Sequence, residues 1–244
     1  MIPPIIHYVW LGGKPLGDLG ERCLRSWQKH LSGWEVRKWD ETNSPMEHPY
    51  VKKMMERKLL AFASDYVRLH VLEAEGGVYL DTDMELIADI RPLLTQSCNL
   101  AFLSAQNRVT KNSAALGLIG CEPGHSWIRE MKARYEGEKR AIMNTTLATQ
   151  SLLRRGLAQL GKADADQDFW DLGDIRIYHA DFFYPPIDRG RELQVKPRTV
   201  AIHHGTANWG GRADALPLGR RLLDWRIDRK VLRPIERWLK KLRS

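Results

Sequence analysis

The chain has 244 residues, of which 43% are apolar and 28% charged, so it is neither disordered nor collagen-like and can bury a full core without disulfides or a structural metal. Its 38 Lys and Arg residues outnumber 30 Asp and Glu residues, for a formal net charge of +8. Three cysteines without a CxxC spacing argue against a disulfide framework or a zinc ribbon and favour a reducing cytosol. No apolar run reaches the length of about 18 residues that a spanning helix needs. The N-terminal MIPPIIHYVWLGG lacks a basic segment before its apolar stretch, so we expect no signal peptide.

Predicted strands and helices alternate along the first half of the chain. The predicted strands are Ile5–Leu11, Trp34–Trp39, Val78–Leu80, Ala114–Ile119, Ile175–Tyr178 and Val200–Ile202. The predicted helices are Glu21–Leu31, one or two helices within Lys52–Glu75 that stop at Gly76-Gly77, and a helix around His125–Tyr135. This alternation predicts an α/β fold around a mostly parallel central sheet.

The positive charge is concentrated at the C-terminal end. Residues 220–244 contain ten Lys or Arg and three Asp or Glu, a net of +7, which leaves residues 1–219 with +1. We therefore expect a near-neutral domain over 1–219 and a basic helical tail over 220–244. The apolar stripe of this tail is Ile227, Val231, Ile235, Trp238 and Leu242. Such a helix either lies on an anionic membrane surface or packs on the domain with its basic face in solvent. The body has no aromatic and basic platform for stacking bases, so we expect no nucleic-acid partner.

The segment SDYVRLHVLEAEGGVYLDTD carries the most information about function. Asp81 and Asp83 follow a short buried strand, at the end where open α/β sheets bind ligands. In an extended chain the two carboxylates point the same way. Two carboxylates without a nearby cysteine favour Mg²⁺ or Mn²⁺, which would in turn bind a pyrophosphate. For an isolated DxD, a surface turn rich in acids is the alternative.

Asp65 and Arg68 lie three residues apart on the preceding helix, so both project from one face. A solvated ion pair is the usual interpretation of this spacing. Here the neighbouring residues are apolar, which predicts a partly buried pair. Arg68 offers a planar fork of donors for hydroxyls or phosphate, and Asp65 can accept from sugar hydroxyls.

A third cluster, AIHHGTANW, follows a late strand. His203 and His204 are adjacent, so in an extended segment they face opposite sides. One of them is expected in the core or behind a ligand, and the other is available as a metal ligand. The residues alone leave open which one binds. Trp209 could cover a ligand or fill the core.

Together these segments resemble a known family. IPPIIHYVWLGG, SDYVRLHVLEAEGGVYLDTDM and AIHHGTANW are similar to the three signature blocks of glycosyltransferase family 32. That family includes bacterial capsular and exopolysaccharide sugar transferases and fungal mannosyltransferases, and it is distantly similar to the clostridial glucosylating toxins. The resemblance covers roughly residues 2 to 210, and its most specific part is the combined SDxxR and GGxYxDxD block. It implies a GT-A-type nucleotide-sugar-binding fold and a metal-dependent transfer that retains anomeric configuration.

The resemblance also implies donor-binding residues. By position, Trp10 would stack on the nucleotide base, and Trp209 would contact the β-phosphate. Asp65 and Arg68 would hold sugar and ribose hydroxyls. Asp81 would contact ribose and sugar.

For the metal, Mn²⁺ or Mg²⁺, the resemblance implies Asp83 as the direct ligand and His204 as a second ligand. Asn208 stands where the family usually has Ser before the tryptophan, and its carbonyl oxygen can still coordinate. Asn112 is expected to face the donor sugar. IMNTTLATQ lacks the Gly-Pro of many relatives, so the acceptor side or the sugar pocket differs there. Asp81, Asp83 and Arg68 form the predicted catalytic set.

These observations predict a retaining glycosyltransferase that moves a hexose from a nucleotide sugar, UDP-linked ahead of GDP-linked, to a saccharide acceptor. A lipid-linked acceptor in bacterial surface polysaccharide synthesis would suit a cytoplasmic enzyme, peripheral on the inner face of the cell membrane. The alternatives are a toxin-like protein glycosyltransferase and a non-catalytic nucleotide- or metal-binding module of a polysaccharide assembly complex.

Overall fold

The structure, a computed structural model, describes residues 1–94, 99–104, 113–156, 168–185 and 193–205, with the backbone alone for 99–104 and 113. Within these ranges no helix is both long and apolar enough to cross a membrane. The predicted tail, 220–244, lies outside the described residues.

The predicted strands and helices are confirmed with shifted ends. The strands are β1 Ile5–Val9, β2 Glu35–Trp39, β3 Gly77–Leu80, β4 Met84–Leu86, β5 Asn99–Ser104, β6 Ser113–Cys121, β7 Phe169–Leu172, β8 Ile175–Tyr178 and β9 Ala201–His203. The helices are α1 Gly17–His30, α2 Pro49–Glu56, α3 Leu60–Glu75, α4 Ser126–Ala133 and α5 Asn144–Arg154. Strands β4, β5 and β7 and helix α5 were not predicted from the sequence. The Lys52–Glu75 region is two helices, separated by a turn in which Lys58 has a φ of 58°.

Within the described residues, seven strands form the central sheet in the order β2-β1-β3-β6-β5-β8-β7. Strand β1 pairs in parallel with both β2 and β3, and β5 pairs in parallel with β8. Strands β6 and β7 are antiparallel to the strands beside them. Five of the seven strands therefore point the same way, and the predicted α/β class with a mostly parallel sheet is confirmed. A second, two-stranded ribbon pairs β4 with β9 in antiparallel fashion.

The predicted helix stop at Gly76-Gly77 is confirmed, and its cause is steric. Both residues have positive φ, 66° and 85°, which L side chains rarely adopt. A Cβ on Gly76 would lie 2.8 Å from the carbonyl oxygen of Cys121, and one on Gly77 would lie 2.7 Å from that of Ile5. The two glycines thus let the chain leave α3 and enter β3 directly between its neighbours.

Helix α3 is buried around most of its circumference. Every residue from Ala63 to Leu69 is buried, which is typical of a helix inside the core. Asp65 and Arg68 belong to this run, so their charged groups lie inside the protein. The burial predicted from their apolar neighbours is confirmed.

Candidate functional site

One edge of the sheet gathers the residues that follow β1 and β3. These strands are adjacent and parallel, so Trp10 after β1 and Asp81 after β3 lie at the same edge. The backbone N–H of Asp81 donates to the carbonyl oxygen of Gly117 at 2.8 Å. The chain then turns, and the N–H of Met84 donates to the carbonyl oxygen of Asp81 at 2.9 Å. The DxD segment is therefore a turn between β3 and β4 rather than an extended strand.

Asp81, Asp83 and His203 converge at this turn. His203 is the last residue of β9, and its register opposite Met84 brings its ring to the aspartates. The Nε2 atom of His203 lies 3.3 Å from Oδ1 of Asp83 and 3.8 Å from Oδ2 of Asp81. One ligand atom from each residue lies within 4.8 Å of the other two. Two carboxylates and an imidazole are a donor set that suits a divalent ion such as Mn²⁺.

The electrostatics of His203 reflect the two aspartates. Burial by itself lowers its pKa, but the hydrogen bond and charge of Asp83, together with the charge of Asp81, raise the pKa above its ordinary value. The other ring nitrogen, Nδ1, is buried and has no hydrogen-bond partner among the described residues. The histidine therefore meets the aspartates with one nitrogen, while no hydrogen bond from the described part of the chain holds the other.

Arg68 connects the helix to the DxD turn. Its Nη1 donates to the carbonyl oxygen of Leu116 at 2.6 Å, and its Nη2 lies 3.1 Å from Oδ1 of Asp65 and 3.1 Å from Oδ1 of Asp81. The guanidinium also lies over the ring of Tyr79, 4.4 Å from its centroid. Burial opposes the charge of Arg68, but the carboxylates raise its pKa, so the group stays protonated at any working pH.

The pKa of Asp65 is strongly perturbed. Burial raises its pKa to about 7, although Arg68 and the hydrogen bonds from the backbone and side chain of Asn144 act to lower it. The contacts from Arg68 and from Asn144 Nδ2, the latter at 2.5 Å, both use Oδ1 of the carboxylate. A carboxyl group held between its two protonation states near neutral pH is typical of functional sites.

Within the histidine pair, the structure brings His203 to the aspartates rather than the predicted His204. The Nε2 atom of His204 lies 2.8 Å from Oε2 of Glu85 and 3.2 Å from Nη2 of Arg22. The physical reason is the alternation of side chains along β9, which turns consecutive residues to opposite sides of the ribbon. His204 contributes its backbone, since its N–H donates to the carbonyl oxygen of Asp83 at 3.0 Å.

Trp10 is buried at the shared sheet edge, and its indole N–H donates to the carbonyl oxygen of Lys14 at 2.6 Å. The remaining predicted site residues, Asn112, Asn208 and Trp209, lie outside the described residues. Their predicted roles stay predictions.

Three further side chains belong to the site and were not assigned from the sequence. Tyr79 donates from its hydroxyl to Oδ1 of Asp81 at 3.0 Å. Its position two residues before Asp81 in a strand, on the same face, is a signal that could have found it. Asn144 lies in the unusual IMNTT segment, but nothing in that segment indicates its contact with Asp65. Tyr184 packs its ring 5.2 Å from that of His203, and no sequence spacing connects these two residues.

Comparison with known proteins confirms the resemblance. Residues 18–100 match the family model described as the glycosyltransferase sugar-binding region containing the DXD motif. This range includes α3, β3 and the DxD turn. The chain is also 30% identical over 132 residues to a human alpha-1,4-N-acetylglucosaminyltransferase, across 53% of this chain and 34% of that protein.

Two further proteins are similar to the chain. An uncharacterised glycosyltransferase of Acanthamoeba polyphaga mimivirus is 28% identical over 136 residues, which is 51% of this chain and 52% of the viral protein. The chain therefore spans about half or less of the length of these curated relatives. Among solved structures, the PaToxG glycosyltransferase aligns with a TM-score of 0.49 at 17% identity, covering 64% of this chain and 70% of that one.

Proposed function

We propose that this chain, which carries a glycosyltransferase sugar-binding region of the DXD type over residues 18–100, transfers a sugar from a nucleotide-sugar donor to a saccharide acceptor. The observation that carries the proposal is the convergence of Asp81, Asp83 and His203 beside the buried Arg68. The proposed fold is of the GT-A type over residues 1–219, with 220–244 as a separate basic tail. A hexose is the sugar predicted from the sequence, and the name of the human relative, an N-acetylglucosaminyltransferase, supports an N-acetylhexosamine as the alternative.

The proposed metal site consists of Asp81, Asp83 and His203, with Mn²⁺ preferred because Mg²⁺ is usually held by oxygen ligands. A divalent ion bound there would supply neutralisation of the negative charge that develops on the leaving diphosphate. The donor set fits this task, because the atoms offered by the three side chains already lie within 4.8 Å of one another.

The roles of the chain's other residues follow from their contacts. Arg68 keeps the two carboxylates on either side of it, Asp65 and Asp81, in place through one guanidinium nitrogen. We assign Asp65, a carboxylate acceptor held beside Arg68, to a hydroxyl of the donor sugar. Tyr79 fixes the rotamer of Asp81 with its hydroxyl, so that Asp81 faces donor and metal together. Trp10 would stack on the nucleotide base at the same edge of the sheet.

We further propose same-face displacement with retention of anomeric configuration. The acceptor hydroxyl would attack from the side that the diphosphate leaves, without a covalent intermediate on the enzyme. The anomeric configuration of the product, measured by NMR, tests retention. A glycosyl adduct trapped on any carboxylate of the chain would contradict the absence of an intermediate.

The main test is Asp83→Asn measured with a panel of UDP- and GDP-sugars and Mn²⁺, following both transfer and donor hydrolysis. We expect a loss of at least about 100-fold, because the substitution removes a carboxylate that would hold the divalent ion, and the ion would neutralise the negative charge developing on the diphosphate. Asp89→Asn is the matched control, since Asp89 pairs with Arg91 at the surface and lies outside the site. Full activity in Asp83→Asn, or no donor turnover by the wild type with any sugar, would contradict the proposal.

For the acceptor, we propose a lipid-linked saccharide of bacterial surface polysaccharide synthesis, reached at the inner face of the cell membrane. The support is the net charge of +7 over residues 220–244 and the apolar stripe in the same segment. The test is flotation of the full chain with vesicles containing anionic lipid. Lys240→Glu with Lys241→Glu should reduce the bound fraction, whereas equal binding by this variant would contradict the membrane contact.

A further inference from the structure

We infer that Tyr184 is a positioning residue for the proposed metal group, and that its ring holds the imidazole of His203 so that Nε2 meets the two aspartates. The inference rests on the metal site of the proposed function and adds to it a residue that lies outside the DXD region. It would explain how His203, whose Nδ1 has no hydrogen-bond partner in the ranges that the structure describes, keeps one orientation.

The first argument is the surroundings of His203. A metal-binding histidine usually donates its second N–H to a carboxylate, a carbonyl or water, which fixes the ring. In this chain Nδ1 of His203 is buried without such a partner among the described residues. The ring of Tyr184 lies instead against the imidazole, with centroids 5.2 Å apart and planes inclined by 60°. Packing by Tyr184 therefore takes the place of the missing hydrogen bond.

The second argument is that Tyr184 and Asp81 both form hydrogen bonds with Gly117, a residue of β6. The hydroxyl of Tyr184 accepts from the N–H of Gly117 at 3.2 Å, and the carbonyl oxygen of Gly117 accepts from the N–H of Asp81. A Cβ on Gly117 would lie 2.9 Å from the Tyr184 hydroxyl and 3.0 Å from Oδ2 of Asp81. Because Gly117 has no side chain, the Tyr184 hydroxyl and the Asp81 carboxylate both fit beside it. Its backbone N–H and carbonyl oxygen set the position of Tyr184 relative to Asp81.

The third argument is the backbone next to Tyr184. The N–H of His203 donates to the carbonyl oxygen of Phe183 at 3.1 Å, so β9 is bound to the segment that carries the tyrosine. Tyr184 itself is only 4% exposed, which leaves its ring little freedom to move. The tyrosine, the histidine and Asp81 are consequently fixed to one another through Gly117 and Phe183.

The experiment is a titration of Mn²⁺ into the metal-free full chain, followed by the electron paramagnetic resonance signal of free Mn²⁺. Tyr184→Met removes the ring and should weaken Mn²⁺ affinity about tenfold or more, the size typical for residues that orient a ligand. Tyr184→Phe keeps the ring and should stay within about threefold of the wild type. Phe182→Met is the matched control, because Phe182 is a buried aromatic residue of the same segment whose ring packs on Tyr178.

Mn²⁺ affinity measured in the His203→Ala background separates a positioning role of Tyr184 from a purely structural one. If Tyr184 acts through His203, Tyr184→Met should have no further effect on Mn²⁺ affinity in that background. The same loss with and without His203 would overturn the inference, as would wild-type affinity in Tyr184→Met. A tenfold loss in Tyr184→Phe would overturn the role of the ring, and Tyr184→Leu, which also removes the ring, replaces the methionine variant if that variant does not fold.

Failure of the inference and failure of the proposed function remain distinguishable. Asp83→Ala should abolish the specific Mn²⁺ binding. If Asp83→Ala binds Mn²⁺ as the wild type does, the metal site itself is wrong and the inference is overturned with it. If Asp83→Ala loses binding while Tyr184→Met keeps it, the role of Tyr184 alone is overturned.

Discussion

Two charged clusters of this protein differ in burial and in what they can contribute. The site cluster lies under the sheet edge and consists of Asp65, Arg68, Tyr79, Asp81 and Asn144. The surface cluster joins α4, α5 and the turn between β7 and β8, and it consists of Glu130, Arg154, Arg155 and Asp174. Both contain arginine bound between carboxylates at 3.0 to 3.2 Å.

The difference lies in solvent access. The side chain of Arg68 is 6% exposed, whereas those of Arg154 and Arg155 are 51% and 29% exposed. Charges that are removed from water lose hydration energy that their mutual attraction restores only in part. Exposed pairs lose little hydration and contribute little, typically less than about 1 kcal/mol. A buried arginine between the buried Asp65 and the partly exposed Asp81 is therefore a poor way to stabilise a fold, and it indicates a functional demand.

The largest expected effect is that of Arg68→Met. Removing the guanidinium leaves the buried Asp65 and the partly exposed Asp81 without their shared positive partner, which should lower the free energy of unfolding by about 3 kcal/mol or more. Donor turnover should be lost as well. Urea denaturation at pH 7.5 measures the first effect. A variant as stable as the wild type would show that the site cluster is no more than a second surface cluster.

Asp65→Asn is expected to raise the free energy of unfolding, whereas Arg68→Met lowers it. Because the pKa of Asp65 is raised to about 7, the folded state holds its proton more tightly than the unfolded state does, and the wild type loses stability as pH rises from about 4 to 7. Asparagine cannot ionise, and Arg68 keeps Asp81 as its partner. Asp65→Asn should therefore be more stable than the wild type above pH 7, by up to about 4 kcal/mol, since the pKa rises from 3.8 to about 7 and one pKa unit corresponds to about 1.4 kcal/mol.

Unfolding of both proteins at pH 4, 6 and 8 checks this expectation. The difference should be near zero at pH 4 and grow toward pH 8, while donor turnover by the variant falls. A difference that does not change with pH would contradict the raised pKa of Asp65, and full activity would contradict its place in the donor site.

The smallest expected effect belongs to the surface cluster. Arg154→Ala removes one half-exposed partner of Glu130, which keeps its contacts with Arg155 and with the hydroxyl of Ser151. The free energy of unfolding should fall by less than about 1 kcal/mol, and the small loss should shrink further in 1 M salt. Donor turnover should be unchanged. A loss as large as that of Arg68→Met would remove the distinction between the two clusters.

Local patterns were sufficient for much of the fold and for the chemistry of the site. The glycine pair after α3 can adopt backbone angles that other residues avoid, so these two residues were enough to predict the end of the helix and the start of β3. The apolar neighbours of Asp65 and Arg68 predicted their burial. The short strand β4 and the late helix α5 were missed, because three residues show no periodicity and α5 has a weak amphipathic pattern and no capping side chain.

The sequence by itself determined which residue types could meet: two aspartates after a buried strand, an arginine and an aspartate one helical turn apart, and a histidine pair late in the chain. Only the tertiary structure decided which members of these sets come together. His203 rather than His204 faces the aspartates because the register of β9 against β4 decides which side of the ribbon each histidine takes, and register depends on residues more than a hundred positions apart. The contacts of Asn144 with Asp65 and of Tyr184 with His203 likewise arise only when separate elements pack, since no spacing along the chain encodes them.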